Sequence, residues 1–258
     1  MSYKIEYYCV SNIGKCRSNN QDNFFCIDTY KELNTPENSE PIYGKRKTKD
    51  TVLVGIFDGM GGEECGEVAS YIAAHTLSDY SFGKEPGKEL VQYCRIANEN
   101  ICNYAEENQI SSMGTTAAIL YFNRKKIHLC NIGDSRIYLF TNQKLKQISY
   151  DHVATAMSGR KPPLLQNLGI PESEMIIQPF IATGEYNNND IYLICSDGVT
   201  DMLTNDEIEA MLQENTNVNV AEEILKKALE RGGKDNITII MCQVKHYNIL
   251  FNNKGEKT

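Results

Sequence analysis

The feature that most constrains this chain is an apolar run that ends in an acid and then in glycines, at residues 52–62, VLVGIFDGMGG. Six residues rich in Val and Ile predict a buried strand over 52–57. Asp58 would then lie at the end of that strand, next to backbone that Gly59 leaves uncrowded. Taken alone, the pattern is more typical of a strand followed by an Asp-Gly turn. A functional role for Asp58 therefore depends on what other parts of the sequence indicate.

Composition and charge exclude several classes of protein. The chain has 258 residues, enough for one large domain or two small ones, and a net charge of −8. An acidic chain lacks the basic face of a general nucleic-acid binder. No apolar run approaches the roughly 20 residues of a membrane span, and residues 1–6 lack the apolar core of a signal peptide. We therefore expect neither nucleic acid nor membrane as a partner.

The cysteines indicate a reducing compartment. The sequence contains nine of them, with no C-x-x-C pair, and most fall in apolar segments. An odd number of scattered cysteines is typical of reduced core thiols rather than of disulfides or zinc ligands. We therefore expect a cytoplasmic protein, and the four dispersed histidines argue against a His-based metal site.

The order of the predicted elements favours an α+β fold. Strands are predicted at 3–11, 23–28, 52–57, 115–122, 126–131, 136–140, 144–149, 191–195 and 236–244, and helices around 65–76 and at 87–108, 206–213 and 220–230. The helices come in two groups rather than alternating with single strands, which favours a layered sandwich over a βαβ winding.

Two polar segments are predicted to lack regular structure. Residues 29–50 are interpreted as an exposed excursion, with the basic run Lys45, Arg46 and Lys47 at a solvated loop tip. Residues 150–190 contain four prolines and no clear periodicity. A segment of this length is usually functional or mobile.

Five aspartates share one setting, because each lies next to a predicted strand: Asp22, Asp58, Asp134, Asp197 and Asp235. Carboxylates that converge at one end of a sheet repel one another and raise each other's pKa values, and a divalent cation cancels that cost. Ligation by oxygen alone selects magnesium, manganese or calcium. For any single Asp, a simple turn cap is an equally good interpretation.

Arg17 offers the complementary chemistry, five residues before Asp22 in a glycine-containing loop. Its planar guanidinium matches two oxygens of a phosphate group. Without the acids, a surface arginine is the better interpretation.

Six motifs together resemble the metal-dependent serine/threonine protein phosphatases, also called protein phosphatase 2C. In chain order they are residues 17–22 (RSNNQD), 58–62 (DGMGG), 114–116 (GTT), 133–136 (GDSR), 196–198 (SDG) and 235–236 (DN). Each motif is weak alone, but six in this order are specific, and they extend the resemblance from about residue 3 to 244. The compact size and the DGMGG form resemble the stand-alone bacterial members.

The resemblance implies a four-layer α/β/β/α sandwich of two antiparallel sheets flanked by helix pairs. It implies one catalytic domain over residues 1–246, with a flap-like segment at 150–190, and a C-terminal tail at 247–258. By analogy, two Mn²⁺ or Mg²⁺ ions lie at one end of the sandwich. Asp58 bridges them, Asp197 and Asp235 hold the first, and Asp22 and the Gly59 carbonyl hold the second. Asp134 resembles a ligand of a third, weaker ion.

Three departures from the family pattern stand out. Met60 stands where many eukaryotic members have a histidine that is a suggested general acid, Gln21 stands where many have Glu, and Asn12 stands where Asp is common. The first departure leaves protonation of the leaving group to water or another residue. None of the three removes a core metal ligand.

The implied reaction is hydrolysis of phosphoserine or phosphothreonine by a metal-activated water, with Arg17 on the phosphoryl oxygens and no phospho-enzyme. Two alternatives remain open: a non-catalytic phosphoprotein-binding module of the same fold, and a metallohydrolase of small phosphate esters. The implied partners are a serine/threonine kinase and its substrates, and we expect a monomer.

Overall fold

A computed structural model describes residues 2–60, 65–155 and 162–247. The elements in chain order are β1 (Ser2–Asn12), β2 (Asp22–Cys26), β3 (Thr29–Tyr30), β4 (Ile42–Lys47), β5 (Val52–Met60), α1 (Gly66–Asp79), α2 (Pro86–Glu107), β6 (Gly114–Thr115), β7 (Ala117–Asn123), β8 (Lys126–Ile132), β9 (Arg136–Thr141), β10 (Lys144–Gln147), β11 (Phe180–Glu185), β12 (Ile191–Cys195), α3 (Asp197–Thr200), α4 (Asn205–Glu214), α5 (Val220–Glu230) and β13 (Ile237–Tyr247).

The strands form two antiparallel sheets. One has the order β10-β9-β12-β13-β1-β4, and the other has the order β11-β8-β7-β5-β2-β3, with β6 paired to β5. In the second sheet Asp22 of β2 lies opposite Asp58 of β5. This register brings two of the predicted site residues to the same end of the sheet.

Three apolar cores hold the two sheets and the two groups of helices together as layers. Along β5 the side chains alternate, so that Val54 and Ile56 enter the core between the sheets while Leu53 and Phe57 pack under α1 and α2. The other sheet packs its outer face against α4 and α5. Both faces of the central strands are therefore buried, which explains their continuous apolar sequence. The predicted four-layer α/β/β/α sandwich of two antiparallel sheets is confirmed.

The prediction of an exposed excursion at 29–50 is partly wrong, although residues 31–41 do form a mostly exposed connection. Residues 29–50 contain β3 and β4, and β4 pairs with β1 at the edge of its sheet. The basic run is part of β4 rather than a loop tip: Arg46 forms an ion pair with Asp28, and Lys47 Nζ lies 4.3 Å from the centre of the Tyr247 ring. Edge strands are often charged, because charge discourages pairing with other chains, and this polarity concealed the strand.

The prediction that residues 150–190 are irregular is partly wrong. Residues 156–161 lie outside the described residues, but 180–185 form β11, which pairs with β8. The short helix α3 was also missed. The other predicted elements lie within a few residues of their observed bounds, and β12 and α5 have the predicted bounds.

Most of the cysteines lie in the interior of the protein. All nine cysteines are free thiols, and six of them are buried. Cys94 and Cys130 approach to 3.4 Å between their sulfur atoms without a disulfide. None of the helices in the described ranges is long and apolar enough to cross a membrane.

Candidate metal centre

Three carboxylates converge at one end of the sandwich. One oxygen from each of Asp58, Asp134 and Asp197 lies within 4.8 Å of the others. Asp58 lies near the end of β5, Asp134 in the turn between β8 and β9, and Asp197 at the start of α3 directly after β12. The cluster therefore joins the two sheets, and its geometry depends on how they pack. Three acids this close repel one another unless cations or protons neutralise them.

The backbone of Asp58 is fixed independently of its carboxylate. The Asp58 amide donates to Thr116 Oγ1 at 3.0 Å, and the Asp58 carbonyl accepts from the Thr116 amide at 2.9 Å. Thr116 Oγ1 lies 2.7 Å from Ser135 Oγ, next to Asp134. The GTT and GDSR motifs thus hold the Asp58 and Asp134 backbones against each other.

Glycine at 133 and 59 permits two close approaches. Gly133 has φ +101°, and a Cβ there would lie 2.5 Å from Thr116 Cγ2. A Cβ on Gly59 would lie 2.1 Å from the Gly66 carbonyl oxygen and 2.4 Å from that of Gln21. A larger residue at either position would push apart the segments that carry the acids.

Asp22 lies outside the three-acid cluster and is almost fully buried, with 1 % of its surface exposed. Its Oδ2 accepts hydrogen bonds from Ser196 Oγ at 2.8 Å and Thr238 Oγ1 at 2.7 Å. Its Oδ1 accepts none from the described residues. Burial raises the pKa of Asp22 to about 6, against the lowering effect of the two hydroxyls and of Lys31. One buried oxygen therefore remains available for a cation.

Arg17 and Asp235 form an ion pair beside the cluster. Arg17 Nη2 lies 2.6 Å from Asp235 Oδ2, and about half of the Arg17 side chain is exposed. The hydrogen bond to Asp235 is the main reason that the pKa of Arg17 is raised, and the charges of Asp58 and Asp22 add to the effect. The structure thus brings Arg17 to the acids, while Asp235 is not part of the three-acid group.

Asn236 ties the Arg17 loop to β13. Its Nδ2 donates to the carbonyls of Ile13 at 2.9 Å and Asn19 at 3.0 Å, and its Oδ1 accepts from the Gln21 amide at 2.8 Å. The sequence placed Asn236 in a motif but gave it no role. Its position directly after the predicted ligand Asp235 could have indicated a role at the site. Ser196 and Thr238 had no such signal in the sequence, because they become partners of Asp22 only when the strands pack.

His152 supports the turn that carries Asp134. Its amide donates to the Gly133 carbonyl at 2.9 Å, and the Gly133 amide donates to its Nδ1 at 3.3 Å. Burial is the main cause that lowers the pKa of His152, and its ring is also hydrogen-bonded to the backbone of Gln178. Through these contacts His152 positions the turn that carries Asp134.

The family follows from comparison with known proteins. The protein phosphatase 2C family matches residues 8–158, more than half of the chain. The chain belongs to the protein phosphatase 2C family. It is 31% identical over 222 residues to the serine/threonine phosphatase Stp of Listeria innocua, covering 77% of this chain and 86% of the relative. It is 29% identical to PstP of Mycobacterium tuberculosis, covering 95% of this chain and 46% of that longer protein.

Solved structures share the fold over nearly the whole chain. The crystal structure of M. tuberculosis PstP superposes with a TM-score of 0.77 at 27% identity, covering 94% of this chain and all of the other. The catalytic domain of PstP in complex with two manganese ions gives a TM-score of 0.75 at 28% identity, covering 95% of this chain. This phosphatase 2C fold carries the acid cluster described above.

Proposed function

We propose that this chain is a metal-dependent protein phosphatase that hydrolyses phosphoserine and phosphothreonine at a centre of two Mn²⁺ or Mg²⁺ ions. The observation that carries the proposal is the cluster of Asp58, Asp134 and Asp197, whose oxygens lie within 4.8 Å of one another. The donors are all oxygens, which suits hard divalent cations. The family and the manganese complex of PstP support the same assignment.

The ligands are assigned by position. Asp58 would be shared by both ions, Asp197 and Asp235 would hold the first, and Asp22 and the Gly59 carbonyl would hold the second. The uncommitted Oδ1 of Asp22 supports its role, because a buried carboxylate oxygen without a hydrogen bond is costly unless it binds a cation. Asp134 holds a third, weaker ion. Bound ions would supply Lewis acidity and lower the pKa of a bound water towards neutrality.

Arg17 binds the phosphoryl group of the substrate. Its guanidinium pairs with Asp235, but its half-exposed side chain can turn outward when that carboxylate takes a metal ion instead. The planar cation then offers two N–H groups to phosphoryl oxygens and stabilises their negative charge during the reaction. Arg17 and Asp58 are thus the proposed catalytic residues.

The remaining assignments are coarser. We infer one catalytic domain over residues 1–246, which is supported by relatives that align over 94% or more of the chain. Residues 150–190 act as a flap beside the substrate, although its residues 156–161 lie outside the described residues. The predicted tail at 247–258 also lies outside them, except for Tyr247. The protein acts as a cytoplasmic monomer without nucleic acid or membrane partners. It takes part in signalling by removing phosphate groups from a serine/threonine kinase and from the substrates of that kinase. The negative charge and the free thiols support this interpretation.

The experiment is a turnover assay on a phosphothreonine peptide and on a small phosphate ester. The protein is first stripped with a chelator, and its metal content is measured. We expect no turnover until manganese or magnesium is returned, and a higher catalytic efficiency on the peptide. Full turnover by metal-free protein would refute the metal centre. A preference for the small ester would refute the protein substrate, and binding without any turnover would indicate a non-catalytic module.

A further inference from the structure

A second cavity lies at the opposite end of the sandwich from the acids. It has a volume of about 1050 Å³, and its walls include Tyr3, Thr48 and Tyr247. Ser2 pairs with Tyr247 at this end of β1 and β13, whereas Asn12 pairs with Ile237 at the acid end. Eleven residues of strand span about 34 Å, so the cavity is separate from the metal centre.

The cavity is lined by a concentration of positive charge. Besides Lys88, which forms an ion pair with Glu85 at 2.8 Å, six cations line it: Lys47, Lys49, Lys84, Arg124, Lys125 and Lys126. Glu85 is the one acidic residue among the lining residues. The whole chain carries a net charge of −8, so this local excess is opposite in sign to the rest of the molecule.

Four of these cations have no ion pair within the described part of the chain: Lys84, Arg124, Lys125 and Lys126. Lys49 has only a loose contact of 3.9 Å with the exposed Asp50, and Lys47 lies over the Tyr247 ring. The nearest acid to Lys126 in the sheet register is Glu185, opposite it on β11. Cations gathered around one cavity repel each other, and an anion in the cavity removes that repulsion.

The floor of the cavity is neutral and partly aromatic. Tyr3, Pro86 and the aliphatic stems of the lysines contribute carbon atoms, and the first turn of α2 forms one wall. The N-terminal end of α2, where the helix dipole is positive, is therefore part of the lining. His128 is buried beside the cavity, with Nδ1 2.9 Å from Thr183 Oγ1. A pocket of this size is large enough for a drug-sized molecule.

We propose that this cavity binds a small ligand that carries a chain of two or more phosphoryl groups. Several cations around one cavity can each contact an oxygen of a different phosphoryl group. A single phosphate is too small to contact all of them at once. Two sources provide this chemistry: a nucleoside polyphosphate, whose base would lie on the aromatic and aliphatic floor, and an inorganic polyphosphate. The site does not depend on the phosphatase reaction, because it shares no residue with the metal centre.

The test is calorimetric titration of the full chain with ATP, tripolyphosphate and adenosine in the presence of a chelator. The chelator removes the ions that would hold phosphate at the metal centre, and the acids that remain there repel it. We expect ATP to bind and adenosine not to bind. Equal binding of tripolyphosphate would assign the site to the phosphate chain alone, and tighter binding of ATP would assign it to a nucleotide. Failure of both ATP and tripolyphosphate to bind would overturn the proposal.

Charge-reversal variants locate the binding. Lys84→Glu combined with Lys125→Glu should weaken binding at least about tenfold, because each change removes a charge-assisted contact. The matched control, Lys226→Glu with Lys227→Glu on the exposed face of α5, changes net charge equally and should leave affinity within about twofold. All four side chains are exposed, so folding should be unaffected. Equal weakening in both pairs would show a general charge effect and would overturn the proposed location.

Discussion

The two ends of the sandwich carry opposite charges. At one end Asp58, Asp134 and Asp197 lie within 4.8 Å of one another. The cations that act on the acids there include Arg17, which pairs with Asp235, and Lys31, whose charge interacts with that of Asp22. At the other end six cations surround a cavity with little acidic compensation. The same strands run between both ends, so the difference arises from the residues at the strand ends and in the turns that connect them.

The two ends therefore differ in the sign of the ligand that would compensate their charge. Repulsion among like charges opposes folding, and binding of a counter-ion contributes stability by mass action. Metal ions would compensate the negative charge at the acid end, and a polyanion would compensate the positive charge at the basic end. Changes to single residues can test how strongly each carboxylate at the acid end belongs to the centre.

The largest effect is expected from Asp58→Asn. The backbone bonds of Asp58 to Thr116 use main-chain atoms, so the fold should survive, and relief of repulsion should stabilise the metal-free protein. Turnover at saturating manganese should fall by far more than tenfold, which is about 1.4 kcal/mol of barrier. Peptide kinetics and thermal unfolding measure the two effects. A variant that keeps more than about a tenth of the wild-type rate would contradict the bridging role.

Arg17→Ala should reduce catalytic efficiency by about 10- to 150-fold, because it removes charge-assisted hydrogen bonds of roughly 1.5–3 kcal/mol. Arg17→Lys should recover only part, since an ammonium lacks the planar fork. Arg95→Ala, an exposed change on α2, serves as the control. The measurements are kcat, KM and metal affinity. If Arg17→Ala weakens metal binding but has normal kinetics at saturating metal, its role is structural.

Asp134→Ala should have a smaller effect, which is confined to the metal concentration that the enzyme needs for activity. We expect the manganese concentration for half-maximal rate to rise about tenfold, the low end of what changes around a metal site cost. The maximal rate should recover at high metal, because Asp58 and Asp197 remain. A manganese titration of turnover provides the measurement. An unchanged titration would remove Asp134 from the centre.

The last prediction concerns the stability of the metal-free protein rather than its activity, and the change is Asp22→Asn. The pKa of Asp22 is raised from 3.8 to about 6 in the folded chain. Between these values the folded state binds more protons than the unfolded state, so stability falls as pH rises, by about 1.4 kcal/mol per pH unit. Below about pH 4 the stabilising contribution is complete, and above about pH 6 it is lost.

Urea unfolding in the presence of a chelator measures this effect across that interval. Asp22→Asn removes the titrating group and should flatten the pH dependence, so that the variant is more stable than the wild type near neutral pH. Asp50→Asn, an exposed carboxylate, is the control and should retain the wild-type slope. If Asp22→Asn also retains that slope, burial does not raise the pKa of Asp22 in the metal-free protein.

Most of the secondary structure could be predicted because its signals are local. Apolar runs predicted the central strands, and the apolar stripe of 87–108 predicted α2 within a residue at each end. The polar edge strand β4 and the exposed strand β11 were missed, because a strand with little buried surface has no apolar pattern to read. Their pairing partners, β1 and β8, supply the missing stabilisation from distant parts of the chain.

The amino-acid sequence indicates which residues carry the chemistry: five aspartates next to strands, one arginine before Asp22, and a motif order that matches one family. Only the tertiary structure decided which of them meet. Asp58, Asp134 and Asp197 converge because the two sheets pack with these strand ends together, and Asp22 turns towards Ser196 and Thr238 instead. Sequence order specifies each strand's end, but the distance between carboxylates depends on side chains that pack across both sheets.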